Sequence, residues 1–179
     1  MKVDLSVGDF LDETVKTLYE TGLLLVSAGN DGNPNAMAIG WGFIGYLWSK
    51  PYFIVAVRPS RYTYKLIKET GCFTVNVPSK GMEDLVNYCG TVSGRTHNKF
   101  KEKGLTAVKG RRVNTPIIDE CILHYECKVD YEFDLEPGRI SAQVKRINYP
   151  SGDYHTLFFG EILAYYGDED AGKKIGFKK

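Results

Sequence analysis

The chain has 179 residues, 43% hydrophobic and 25% charged, with a formal charge of +1. That length and balance fit a globular domain with a sizeable core and exclude wholesale disorder. A charge this near zero removes the basic stripe of a nucleic-acid-binding domain, and 12 Tyr with 9 Phe tilt the chain toward strands.

The opening MKVDLSVGDF holds Asp4 and Asp9 and no long apolar stretch, so it does not read as a secretory signal. No apolar run reaches the roughly 18–20 residues that span a bilayer. A soluble, cytoplasmic protein is expected. Its cysteines, Cys72, Cys89, Cys121 and Cys127, form no C-x-x-C pair and are expected to be reduced. Residues 8–21 have the spacing of a short amphipathic helix with Leu11, Val15 and Leu18 on one face. A strand follows at 22–29, and Asn30-Asp31-Gly32-Asn33-Pro34 marks a hairpin turn. One strand is then expected over 35–46. Its faces separate: Met37, Ile39, Trp41 and Phe43 are large, while Ala36, Ala38, Gly40 and Gly42 are small.

After Pro51 a buried strand covers 52–58, and Ser60 is expected to cap a helix ending near Thr70-Gly71. A strand at 72–77 stops at Pro78, and two short helices separated by residues 90–94 fill 80–103. Strict alternation over 121–135 predicts a long half-buried strand, with Cys121, Leu123, Tyr125 and Cys127 inward and His124 solvated on the polar face. Pro137-Gly138 turns it into a partner strand at 139–147. A final strand at 154–166 is apolar on both faces, so both sides are expected to meet protein. These elements predict a mainly β chain with short helices, a closed antiparallel barrel in a single domain over 1–179. The basic tail GKKIGFKK reads as a loosely held end.

Three segments could carry chemistry. Gly40-Trp41-Gly42-Phe43-Ile44-Gly45 matches G-x-G-x-x-G, but a strand follows it where a dinucleotide site needs a helix, and Ser60-Arg61 stand where an acid is needed. The bare face at Ala38 and Gly40 suits either the close approach of a flat ligand or barrel curvature alone. Arg58-Pro59-Ser60-Arg61-Tyr62-Thr63 opens a helix, where free N–H groups, hydroxyls and guanidinium groups suit a phosphate. The plainer reading there is an ordinary cap with solvated arginines. Cys89-Gly90-Thr91-Val92-Ser93-Gly94-Arg95, with Lys99-Phe100, offers a glycine turn, hydroxyls and cations for phosphate or polyol contacts. Otherwise the basic run from Arg95 to Arg112 is a solvated face. His97, His124 and His155 have no metal-site spacing, and no G-x-S-x-G elbow supports hydrolysis.

Taken in order, Asn35-Ala36-Met37-Ala38-Ile39-Gly40-Trp41, Ser49-Lys50-Pro51, Arg58-Pro59-Ser60-Arg61-Tyr62-Thr63, Phe73-Thr74-Val75-Asn76-Val77-Pro78, the Cys89 to Phe100 segment, and His155 with Phe159-Gly160-Glu161 form a recognisable set. The set resembles the flavin reductase-like family with the FMN-binding split-barrel fold, close to flavoredoxins. The resemblance implies a homodimer with FMN near the subunit interface. It puts the flavin ring against Met37, Ala38, Ile39, Gly40 and Trp41, with Asn35 in the same segment. Ser60, Arg61, Tyr62 and Thr63 would hold the phosphate, and Asn76, Ser93, Gly94 and Lys99 the rest of the cofactor. His155 would stand near the nicotinamide of NADH or NADPH. The Thr-rich signature of some reductases is replaced here by Met37-Ala38-Ile39-Gly40.

The implied function is an NAD(P)H-dependent FMN oxidoreductase passing electrons on to an acceptor. A flavoredoxin-type electron carrier with a protein redox partner is the second reading. A barrel binding an oligonucleotide or another ligand without redox chemistry is the third, and the near-zero charge speaks against nucleic acid. Flavin carries its own redox chemistry, so the first two readings need no catalytic acid, base or nucleophile from the chain.

Overall fold

The computed structural model describes residues 1–175. Its elements are β1 (Lys2–Asp4), α1 (Leu11–Glu20), β2 (Leu23–Ala28), β3 (Pro34–Ile39), β4 (Gly42–Leu47), β5 (Lys50–Val57), α2 (Tyr62–Thr70), β6 (Cys72–Val77), α3 (Glu83–Thr91), α4 (Lys99–Lys103), β7 (Ala107–Val108), β8 (Ile117–Ile118), β9 (Leu123–Asp134), α5 (Ala142–Asn148), β10 (Thr156–Asp168) and α6 (Ala171–Lys174). The main sheet runs β3-β2-β6-β9-β10-β5-β4, with β1 added beside the end of β10 and every neighbour antiparallel. β7 and β8 form a separate ribbon.

Fully buried strands make the middle of this sheet. All six residues of β2 and all six of β6 are buried, as strands covered on both faces require. Leu23, Leu25, Phe53, Val55, Phe73, Val75, Tyr125 and Phe158 join in one inner core. On the opposite face Leu24, Val26 and Ala36 pack against Val86 and Cys89 of α3, Phe100 of α4 and Ile118 of β8. Inside the sheet, a Cβ at Gly160 would lie 2.4 Å from the Phe73 ring and 2.7 Å from Cys127 Cβ. The β9–β10 register shifts beside this glycine, between Phe159 and Gly160, so the long strands bend around the core there.

The sheet is not a closed barrel. β3 and β4 are its two edges, and α3 and α4 pack against β3. The single strand expected over 35–46 is two strands, because the chain leaves the ladder at Gly40-Trp41 and pairs anew with β5. A two-residue turn, Trp48-Ser49, joins β4 to β5 with both residues at positive φ, 49° and 60°, the pattern of a type I′ hairpin.

Other expectations are corrected by what covers each face. α1 buries Thr14, Thr17 and Leu18, while Val15 is exposed. The Thr14 hydroxyl meets Tyr125 Oη at 3.1 Å, so a polar residue takes the inward position. The first half of β9 does not alternate between core and solvent. His124 and Glu126 are fully buried, because β8 and the 110–113 segment cover that face. Cys121 precedes β9 rather than lying on it, and all four cysteines are buried and free. Residues 137–148 hold a 3₁₀ turn (Pro137–Arg139) and α5 in place of a strand. The last strand begins at Thr156, and its neighbours β5 and β9 belong to the same chain. Ala171 and Ile175 reach the core, so the first part of the tail is anchored; residues 176–179 lie outside the described residues. No helix among the described residues is long and apolar enough to cross a membrane.

Candidate functional site

Two adjoining pockets open beside β3. The first, about 220 Å³, is floored by Met37, Ala38, Ile39, Gly40 and Trp41 and walled by Ala56, Arg58 and His155. The second, about 180 Å³, is formed by Asn35, Ser60, Arg61, Tyr62, Thr63, Ser93, Gly94, Arg95 and Lys99. Met37, Arg61 and Gly90 line both, so the two are halves of one elongated site. A wider hollow of about 460 Å³ lies beyond Ala38 and Gly90, but Glu20 and Glu83 line it, and paired carboxylates repel an anion.

The second pocket is built to receive negative charge. α2 begins at Tyr62, and the N–H groups of Tyr62 and Thr63 have no acceptor within the helix, while Tyr64 N donates to Arg61 O at 3.1 Å. Arg61 is its N-cap, in an extended conformation and without a side-chain cap bond. Ser60 does not cap the helix. Asp153 captures it instead, accepting from Ser60 Oγ at 2.6 Å and from Ser60 N at 3.2 Å. Asn35 Nδ2 donates to Thr63 Oγ1 at 2.9 Å, tying β3 to the first turn of α2. Arg95 donates to Ser60 O at 2.8 Å and lies over the Tyr62 ring. Lys99 is buried, and its Nζ donates to Ala36 O and Cys89 O, both at 2.8 Å, which leaves a third N–H. Burial holds its pKa below the usual lysine range. Among the described residues no carboxylate lines this pocket.

The first pocket is arranged around His155, which lies just before β10 and is 8% exposed. Its ring centroid is 4.8 Å from that of Trp41, and Nδ1 is 2.8 Å from Tyr149 Oη. Burial first, then Arg58, bring its pKa down to about 4, so the imidazole is neutral near pH 7. Arg58 donates to Asn148 O at 2.8 Å and to Asp153 O at 2.9 Å, and stands over the Tyr149 ring at 5.0 Å. The end of α5 and the loop after it are thereby fastened to β5.

Of the residues singled out in the sequence, Asn35, Met37, Ala38, Ile39, Gly40, Trp41, Ser60, Arg61, Tyr62, Thr63, Ser93, Gly94, Lys99 and His155 line the two pockets. Asn76 lines neither. Its amide donates to Leu24 O and Thr74 Oγ1 and its Oδ1 meets Ile118 N and His124 Nδ1, so its bonding capacity is spent in the interior. Sequence reasoning missed Tyr149 and Asp153. The signal for them was an N-cap serine, Ser141, before the good helix formers of 142–146, which argues for a helix where a strand was expected.

Residues 16–178 match the family described as the flavin reductase like domain. The chain belongs to that family. A flavoredoxin of Desulfovibrio vulgaris (Miyazaki F) has 31% identity and a TM-score of 0.68, covering 83% of this chain and 70% of its own. A flavoredoxin of Methanosarcina acetivorans has 30% identity and a TM-score of 0.66, covering 94% and 76% respectively. A protein of Archaeoglobus fulgidus is 36% identical over 164 residues, 90% of this chain and 82% of its own. The open, mainly β sheet with short helices is therefore this family's split-barrel-like fold.

Proposed function

We propose that the chain is a cytoplasmic oxidoreductase that holds one FMN along the two joined pockets, takes electrons from NADH or NADPH and passes them to an acceptor. The continuity of the site supports this: the end of β3, with Ala38 and Gly40, runs directly into a pocket of cations and free helix N–H groups. The residues present fit the cofactor. A Cβ at Gly94 would lie 1.9 Å from Asn35 Oδ1, so the second pocket is already packed to the limit of a bare backbone. Arg61, Thr63 and Lys99 would hold the phosphate with charge-assisted bonds. Ala38 and Gly40 present little but backbone to a flat ring. Bound FMN would supply the two-electron chemistry itself. The chain's residues orient and shield; none need exchange a proton, and neutral His155 is held back from doing so.

Homodimerisation is part of this reading. β4 is an edge strand that leaves Phe43 64% and Tyr46 73% exposed, and the turn after it leaves Trp48 59% exposed, apolar side chains of the kind that partners cover. Sedimentation of a monomer that retains FMN would remove this part. A second reading, an electron carrier with resident FMN and a protein partner, is favoured by the likeness to two flavoredoxins.

Titration of the purified protein with FMN, followed by NADH and NADPH oxidation with and without free flavin, tests the proposal. Uptake of one FMN per chain and bleaching by a nicotinamide nucleotide are expected. Uptake without bleaching selects the carrier, and no uptake overturns both.

A further inference from the structure

Tyr149 lines neither pocket, yet its hydroxyl is the polar group that meets His155. The contact is buried on both sides: Tyr149 is 7% exposed and His155 8%. Three neighbours fix the phenol. Arg58 stands over its ring, Tyr154 stacks on it at 4.7 Å, and the N–H of Tyr149 closes α5 on Lys145 O. The backbone of His155 is fixed as well, since its carbonyl accepts from Leu135 N at 3.0 Å.

A neutral imidazole carries one proton, and its partner decides which nitrogen holds it. Among the described residues Nδ1 is the hydrogen-bond partner of the Tyr149 oxygen, and in this buried pair an Nδ1–H donor would leave the phenolic proton without an acceptor. The phenolic proton therefore goes to Nδ1, and burial keeps the phenol protonated by raising its pKa. With Nδ1 accepting, the ring proton sits on Nε2, the polar atom that His155 can still offer to the first pocket.

We infer that Tyr149 is a positioning residue that fixes His155 in the Nε2–H tautomer, so that the ring presents a neutral donor to a carbonyl or carboxamide oxygen seated beside Trp41. The occupant rests on the function proposed above; the tautomer does not. A nicotinamide carboxamide satisfies the requirement, and so does any flat substrate bearing a carbonyl. A carboxylate does not call for this device, because Arg58 and Arg61 already line the same pocket.

The test has two arms. In the first, the protein is labelled with ¹⁵N-histidine and long-range ¹H–¹⁵N spectra are recorded with and without FMN. His155 is assigned by the signal lost in His155→Gln. The expected wild-type pattern is a protonated Nε2 and a bare Nδ1 from pH 5.5 to 8, with Tyr149, Arg58, Arg61 and Asp153 the charged or titrating groups around the ring. In Tyr149→Phe the proton should be shared between the two nitrogens. A wild-type ring protonated at Nδ1, or an unchanged tautomer in Tyr149→Phe, overturns the inference whether or not FMN binds.

The second arm measures flavin bleaching by NADH in rapid mixing. Tyr149→Phe and His155→Ala should each slow it about tenfold, the worth of one hydrogen bond. Their combination should be no slower than His155→Ala, and Tyr149→Phe, whose residue lines neither pocket, should leave FMN affinity within about twofold. His155→Gln, which keeps an N–H at the same reach, should recover part of the rate. Additive losses in the double variant would show that Tyr149 acts elsewhere and overturn the inference. Failure of the wild type to take up FMN would defeat the proposed function alone, leaving the spectra to decide the tautomer.

Discussion

The side-chain amide of Asn35 and the hydroxyl of Thr63, 2.9 Å apart, join the floor of one pocket to the helix start that forms the other. Gly94 closes over this bond from the far side, and no side chain could stand in its place. Gly94→Ala should push Asn35 aside, break its bond to Thr63 and weaken FMN by at least about tenfold, the cost of one buried bond and a displaced wall. Fluorescence titration with FMN measures it. An unchanged affinity would mean that Asn35 does not shape the site.

Arg61→Ala should separate FMN from riboflavin. A charge-assisted bond contributes about 1.5–3 kcal/mol, so FMN should weaken roughly tenfold to over a hundredfold. Riboflavin lacks the phosphate and should bind almost as before. Equal weakening of both ligands would assign Arg61 to the ring, and the phosphate to Arg95 and Lys99.

Glu126 tests the fold rather than the site. Its carboxylate accepts from the N–H groups of Arg111 at 2.7 Å, Arg112 at 2.6 Å and Val113 at 3.0 Å, and from Tyr166 Oη at 2.6 Å. Glu126→Gln turns an amide NH₂ toward donors and should cost about 2 kcal/mol in urea unfolding; Glu126→Ala should cost about 3 kcal/mol. FMN affinity should hold. A Glu126→Gln variant as stable as wild type would show that water serves this loop equally well.

Acid should destabilise the protein before its carboxylates titrate. Burial lowers the pKa of His124 to about 3 and that of His155 to about 4, both from 6.5. Below pH 6.5 the unfolded chain therefore takes up protons that the folded chain refuses, and stability falls as the pH drops through this window toward the folded values. Each tenfold loss of proton affinity on folding corresponds to about 1.4 kcal/mol. Urea midpoints should decline from pH 6.5 to 4.5, and His124→Gln should flatten the slope while lowering stability at pH 7. A wild-type midpoint level over that range contradicts the burial of both rings.

The strands at 22–29 and 72–77 and the helix ending at Gly71 were legible because local signals and burial agree there. Most pocket-lining residues were also legible, because three short segments carry them, and small residues or a helix start announce a ligand locally. What escaped depends on partners distant in sequence. His124 sits in a stretch whose sequence alternates, and only the packing of β8 and residues 110–113 over it makes its face interior. Asn76 has a site-like motif around it, but four partners from four places absorb it. The helix at 142–148 was masked by Pro137-Gly138, which reads as a hairpin turn after a long strand, and its apolar Val144 and Ile147 are exposed and mark no core face.

The hydrogen bond from Leu135 N to His155 O zips the β9–β10 hairpin at the base of the excursion that holds α5. Below it the strands pair from Asp134 and Thr156 onward, whatever the chain does above. Loop-closure cost grows slowly with length, so added length in this excursion costs the sheet little, while the bonds from Arg58 to Asn148 O and Asp153 O hold its end in place. Yet it carries Tyr149 and Asp153 and ends at His155, one wall of the first pocket. The fold thus separates two duties along one hairpin: the strands maintain the scaffold, and the excursion at their tip carries one wall of the pocket.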